Sequence, residues 1–272
     1  SREMRWTVAI LISLVSVASL TAGCKTTRAG SLAAVQPSSE APRAGNAYLL
    51  RGFIGVFSEG IDTLTAKLNE AGVRAHVYQD SQWASLAQTI RERYRAEKNH
   101  EPIILIGHSY GADDVIRIAR RLNEDKIEVA LLITLDPVTP PKVPGNVKMC
   151  VNLYQSNGAV DALPWLRGIA VRPDDPAPTR LVNADIRKDR TDLLESGTGH
   201  FNIEKKQKIH SEVVKQVLAI CPPRATWLAQ NASKGTIYAA APVAADDSDD
   251  TAAAASTPIT ASVGGGDTRQ PN

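Results

Sequence analysis

The chain is short of several things at once. Three cysteines in 272 residues are too few for a disulfide scaffold. Net charge is nearly absent: 31 Lys and Arg stand against 29 Asp and Glu, a formal +2, which excludes a dedicated nucleic-acid binder. There is no His-Glu-x-x-His, no Cys-x-x-Cys and no Gly-x-x-x-x-Gly-Lys-Ser/Thr, so metalloprotease, zinc-site and P-loop readings lack their residues and neither metal nor cofactor is called for. No internal repeat is present. Aromatic residues make up only 5%, but 43% of the chain is hydrophobic, too much for a wholly disordered chain and enough for one globular domain with a core.

The apolar residues are unevenly spread. Arg2 and Arg5 precede an uncharged stretch from Trp6 to Cys24, apolar from Val8 to Leu20 and closing on Thr21-Ala22-Gly23. A short basic end, an apolar run and a small-residue exit are the three parts of a secretory signal. The run is too short and too rich in Ser for a confident membrane span. Ala22-Gly23-Cys24 resembles the bacterial lipobox, in which a small-residue pair precedes a cysteine that is acylated and becomes the first residue. Residues 1–24 are therefore expected to be a lipoprotein signal peptide with Cys24 as the lipidation site. That places the protein in a bacterial cell envelope, held to the membrane by an N-terminal lipid anchor and facing the periplasm. Secretion after ordinary cleavage and a retained anchor are the alternatives.

Residues 25–45, rich in Ala, Ser, Pro, Thr and Gly, read as a tether. At the other end, residues 225–272 hold Lys234 and Arg269 against Asp246, Asp247, Asp249, Asp250 and Asp267 in a background of Ala, Ser, Thr and Gly. This low-complexity stretch reads as a disordered, mildly acidic tail, with a weakly helical or protein-contacting segment as the alternative.

Between these ends, over residues 46–224, short β-rich runs alternate with segments of helical period. The runs are Ala47–Phe53, Arg74–Tyr78, Pro102–Gly107, Glu128–Leu135, Val147–Tyr154 and Arg180–Asp185; the helical segments are Ser58–Ala71, Ser81–Glu97, Ala112–Asn123 and Ile203–Ile220. Trp83, Leu86, Ala87, Ile90 and Tyr94 make one apolar stripe, and Val115, Ile118, Ala119 and Leu122 another. Ile103 to Ile106 and Val129 to Ile133 are continuously apolar, as central strands covered on both faces are, and are expected to be sheet neighbours. The alternation predicts an α/β fold: a mostly parallel sheet of about six strands flanked by helices.

The sharpest chemical feature is Gly107-His108-Ser109-Tyr110-Gly111, a Gly-x-Ser-x-Gly pentapeptide between a buried strand and an amphipathic helix. That context marks a nucleophile elbow. The turn is too tight for Cβ atoms two residues either side of the Ser, and the following helix N-terminus favours negative charge beside its hydroxyl. A surface Ser in a Gly-rich βα loop is the bland reading.

On these residues the chain resembles the α/β-hydrolase superfamily, in its lipase, esterase and thioesterase branches, over about Asn46 to Pro222. The resemblance implies a minimal member with six strands, lacking the family's N-terminal antiparallel hairpin. It also implies a Ser-acid-His order of triad residues. His200, in the Gly-bearing loop Ser196 to Phe201 before the last helix, is the base candidate. Asp136, in Leu135-Asp136-Pro137 at a strand tip, is the favoured acid because a strand tip is well pre-organised. Asp161, after the next strand, is the alternative, and an Asx turn before Pro is the bland reading of Asp136. The oxyanion donors implied are the backbone amides of Tyr110 and Phe53, the latter in Arg51-Gly52-Phe53, which resembles the family's His-Gly-Phe loop with Arg51 in place of His.

The chemistry implied is hydrolysis of a carboxylic ester or thioester through an acyl-enzyme, on a small-molecule or lipid acyl substrate. A non-catalytic envelope lipoprotein that uses a hydrolase fold for binding is the rival. The Pro-rich connection from Asp136 to Val147 leaves no room for a large lid, whereas Leu163, Trp165, Leu166 and Ile169 could cover an acyl chain or simply pack their loop down. Cys150 and Cys221 either pair or are two isolated buried thiols.

Overall fold

The computed structural model describes residues 30–35, 41–52, 59–156, 168–174 and 178–236. Six strands, β1 (Asn46–Leu50), β2 (Arg74–Tyr78), β3 (Ile103–His108), β4 (Val129–Leu135), β5 (Val147–Tyr154) and β6 (Arg180–Asp185), form one sheet in the order β2-β1-β3-β4-β5-β6. All five pairings are parallel, so the expectation of a mostly parallel sheet sharpens to a wholly parallel one among the described residues. Helices α1 (Glu59–Glu70), α2 (Trp83–Ala96) and α3 (Tyr110–Glu124) connect the first four strands, and α4 (Gln207–Ile220) and α5 (Arg224–Thr236) follow β6. The expected neighbours β3 and β4 pair directly, with Ile104 opposite Leu131 and Ile106 opposite Ile133.

Continuous apolar strands follow from two cores. On one face, Leu49, Ile104, Ile106, Leu131 and Ile133 pack against Ile61, Leu64 and Leu68 of α1 and Ile209, Val213 and Val217 of α4. On the other, Tyr48, Leu50, Leu105 and Leu132 meet Leu86, Ala87 and Ile90 of α2 and the whole predicted stripe Val115, Ile118, Ala119 and Leu122 of α3. Alternate strand residues thus serve opposite faces, and each of α1 to α4 contributes one apolar stripe. Cys150 lies in the second core and Cys221 in the first, with the sheet between them, so they are two isolated buried thiols. Burial pushes each thiol up to about 12.

Several element ends shift by one to three residues, and three differences from the sequence expectation go further. Part of the expected tether is packed: Leu32–Val35 form a 3-10 turn with Val35 only 1% exposed, and the Gly30 N–H donates to the Val77 carbonyl. The last amphipathic helix starts at Gln207 rather than Ile203, because Lys206 is extended (ψ 132°) and leaves Ile203–Lys205 as a separate 3-10 turn. The tail expected from residue 225 opens as helix α5. Composition hides this because one residue fastens it: the Arg224 N–H donates to the Pro42 carbonyl at 2.7 Å, and its guanidinium reaches the Ala41 carbonyl at 2.8 Å and Glu101 at 2.5 Å. The expected signal peptide with Cys24, the remaining tail, Phe53, Asp161, Leu163, Trp165 and Leu166 lie outside the described residues.

Glu101 holds the two ends of the domain together. It accepts the Gly45 N–H at 2.8 Å ahead of β1, pairs with the buried Arg74 of β2, and pairs with Arg224. Removing it leaves a buried cation without its partner, so Glu101→Ala is expected to lower unfolding free energy by about 3 to 5 kcal/mol in urea denaturation. An unchanged midpoint would mean that water replaces the carboxylate without cost.

Candidate active site

β3 ends on His108 and α3 begins at Tyr110, which leaves Ser109 alone to turn the chain. It does so at φ 57° and ψ −124°, a conformation L residues rarely adopt. Main-chain contact enforces the turn from both sides. A Cβ on Gly107 would overlap the Gly111 carbonyl, and one on Gly111 would overlap the Arg51 carbonyl and fall 2.6 Å from that of Leu50. The Ser109 N–H donates to the Leu135 carbonyl at 2.9 Å, fixing the turn beside the end of β4, and its own carbonyl accepts from Ala112 at 3.0 Å.

The loop before α4 brings His200 onto this turn, with Nε2 at 3.0 Å from Ser109 Oγ. Both residues are buried, Ser109 at 9% exposure. Asp136, fully buried, follows β4 at φ 47°, a left-handed conformation that Asp tolerates better than most residues. Its Oδ2 lies 3.4 Å from His200 Nδ1, which makes no aligned hydrogen bond. Contacts of this kind are often long in unliganded sites and tighten around substrate. Ser109, His200 and Asp136 therefore stand in line, while Tyr110 opens helix α3 directly after the Ser. Arg51, where the resembled loop has His, is buried and bonded through Nε to Asp62 of α1 at 3.0 Å.

Several residues of the site carry no motif. Gln155, just past β5, gives Asp136 two bonds, from its N–H to Oδ1 at 2.8 Å and from Nε2 to Oδ2 at 2.9 Å. Arg187 Nη2 then donates to Gln155 Oε1 at 2.9 Å and to the Thr198 carbonyl at 3.0 Å, joining the acid's support to the His200 loop. Gly168 lies against the carboxylate so closely that a Cβ there would overlap Oδ1. The one available signal was position: residues just past the carboxyl ends of neighbouring parallel strands converge.

Behind His200 lies a second pair. His108 Nε2 is 2.8 Å from the His200 carbonyl. Burial, and then the neighbouring His200, lower the His108 pKa to about 3, so the ring is neutral and Nε2 carries its proton to donate to that carbonyl. Glu204 Oε2 stands 3.6 Å from the same nitrogen. Glu204 is fully buried with neither oxygen hydrogen-bonded, and burial raises its pKa to about 8. Among the described residues no cluster of three or more His, Cys, Asp or Glu is arranged to hold a metal ion.

No protein-family model matches the chain, and no curated protein matches it. Solved structures with a similar backbone include a thioesterase domain and two esterases. The thioesterase domain NocB from the nocardicin cluster is 16% identical over 65% of this chain and 94% of its own, with a TM-score of 0.39. The esterase domain of a Rhodothermus marinus protein is 14% identical over 68% and 88%, with a TM-score of 0.37. Est1E from Butyrivibrio proteoclasticus is 15% identical over 67% and 90%, also at 0.37.

Glu204 makes stability fall with alkali. Its folded-state pKa is raised, so the neutral form is favoured in the fold; the associated stability is complete below the ordinary carboxyl range and is lost as pH rises through about 8. Between about pH 6 and 9, the melting temperature of the wild type should drop more than that of Glu204→Gln. Parallel pH profiles would show that Glu204 is already ionised in the fold.

Proposed function

We propose that the chain is a serine hydrolase that cleaves a carboxylic ester or thioester through an acyl-enzyme. The observation that carries this reading is Ser109 Oγ at 3.0 Å from His200 Nε2, on a strained strand-to-helix turn. His200 Nε2 takes the Ser109 proton as Oγ attacks the acyl carbon, then delivers it to the leaving group; water repeats the cycle and frees the acid. Asp136 orients His200 and stabilises the imidazolium that forms. Gln155 and Arg187 hold Asp136 and the His loop in register.

The oxyanion falls to the amides of Tyr110 and Phe53. In support, the carbonyls of Leu50 and Arg51 lie against Gly111, so the chain leading to Phe53 departs from beside the Ser109 turn. Each such donor is worth about 3 to 4 kcal/mol of transition-state stabilisation. The same reading takes residues 46–224 as the catalytic domain and residues 1–24 as a lipoprotein signal with Cys24 acylated, so the substrate is a small or lipid acyl ester met at a membrane surface.

A fluorophosphonate probe should label the folded protein on Ser109, and Ser109→Ala should abolish the label. Labelling that survives this substitution sinks the proposal. With a labelled enzyme in hand, His200→Ala and Asp136→Asn should each lower kcat by about 10³- to 10⁴-fold, against a small change for Asp161→Asn. The reverse ranking of the two Asp variants would transfer the acid role. Gly168→Ala, by displacing the Asp136 carboxylate, should lower kcat with little change in KM.

A further inference from the structure

The chemistry of acylation fixes where the departing half of a substrate must lie. A bond forms between Ser109 Oγ and the acyl carbon; the bond from that carbon to the leaving oxygen or sulfur breaks, taking its electron pair; and the proton held on His200 Nε2 passes to that atom. The leaving group therefore has to reach His200 from its open side. Inside, the His108 ring lies 5.5 Å from the His200 ring and is buried. Toward solvent, the Phe201 ring stands edge-on to His200, with centroids 5.4 Å apart and planes at 78°.

Phe201 is 52% exposed, one of three large apolar side chains exposed among the described residues; the other two, Val182 and Leu228, sit on β6 and α5. Its loop is pinned. Asn202 Oδ1 accepts the Gly199 N–H at 2.8 Å and Nδ2 donates to the Gly197 carbonyl at 3.0 Å, Lys206 Nζ donates to the Ser196 carbonyl at 3.0 Å, and Arg187 holds the Thr198 carbonyl. Beside it, among the described residues, no atom lies within 4 Å of where a Cβ on Gly197 or Gly199 would stand. A fixed loop thus presents a half-exposed aromatic ring beside the group that must protonate the leaving atom. Little ordering entropy would be lost when an apolar group docks there.

We propose that Phe201 forms an apolar subsite for the leaving group, so that the site selects esters and thioesters whose departing alcohol or thiol has an alkyl or aromatic body. This rests on the serine-hydrolase reading above. Phe201 acts in acylation only, because the acyl-enzyme that water attacks is the same whichever alcohol has left.

The test uses the full chain and butyrate esters of ethanol, 1-hexanol and 2-phenylethanol, alcohols of similar acidity and different apolar bulk. In the wild type, kcat/KM should rise along the series. Phe201→Ala should lower it about three- to tenfold for the 2-phenylethyl ester, the worth of an aromatic contact, and less than about twofold for the ethyl ester. Phe201→Leu should fall between. An equal loss on all three alcohols, or a loss that instead follows acyl-chain length in a series of ethyl esters, overturns the subsite. Fluorophosphonate labelling of both proteins separates the two readings. Labelling kept with a flat alcohol series rejects the Phe201 proposal alone, whereas wild-type protein that is never labelled rejects the serine-hydrolase reading with it.

Discussion

Where Gly111 meets the carbonyls of Leu50 and Arg51, two pieces of main chain lie closer than any side chain would allow, and Gly107 meets the Gly111 carbonyl in the same way. These contacts let α3 start one residue after β3 has ended and keep its first turn against the end of β1. The positive φ of Ser109 is set by this main-chain packing and by its N–H bond to the Leu135 carbonyl. The helix so placed carries Asp113, whose carboxylate accepts the Val138 N–H at 3.1 Å and the Thr139 N–H at 2.8 Å. The loop after Asp136 is therefore fastened to the helix after Ser109, and nucleophile and acid candidates share one rigid mount.

That mount encloses polar groups whose desolvation has to be offset. Asp136 meets its share with two bonds from Gln155, which is in turn held by Arg187. Glu204 and His108 resolve the same problem differently, by staying neutral: one keeps a proton that exposed carboxyls have lost, the other declines one. One side of His200 thus faces a hydrogen-bonded carboxylate, and the other rests on an uncharged pair.

Much of the fold was legible because each strand had a distinct local signature. β2, β5 and β6 have the bounds read from the sequence, and the Val115 stripe is buried throughout. The approach of Ser109 to His200 was legible because chain order and loop placement restricted the choice of His. Gln155 and Arg187 were not, since their roles exist only once the ends of β4, β5 and β6 lie side by side, and an isolated Gln or Arg after a strand says nothing of its neighbours. Glu204 was hidden inside what read as the start of a helix. Helix α5 was hidden by its composition, because a few bonds at Arg224 do what an apolar stripe does elsewhere.

The bridge between Arg43 and Pro223, closed by Arg224 and Glu101, also gives the domain two unlike edges. Chain entering β1 and chain leaving α4 are knotted together at the amino ends of the strands, and Ser109 and Asp136 lie past the carboxyl ends of β3 and β4. The domain thus carries its clasp at the amino edge of the sheet and its polar mount at the carboxyl edge.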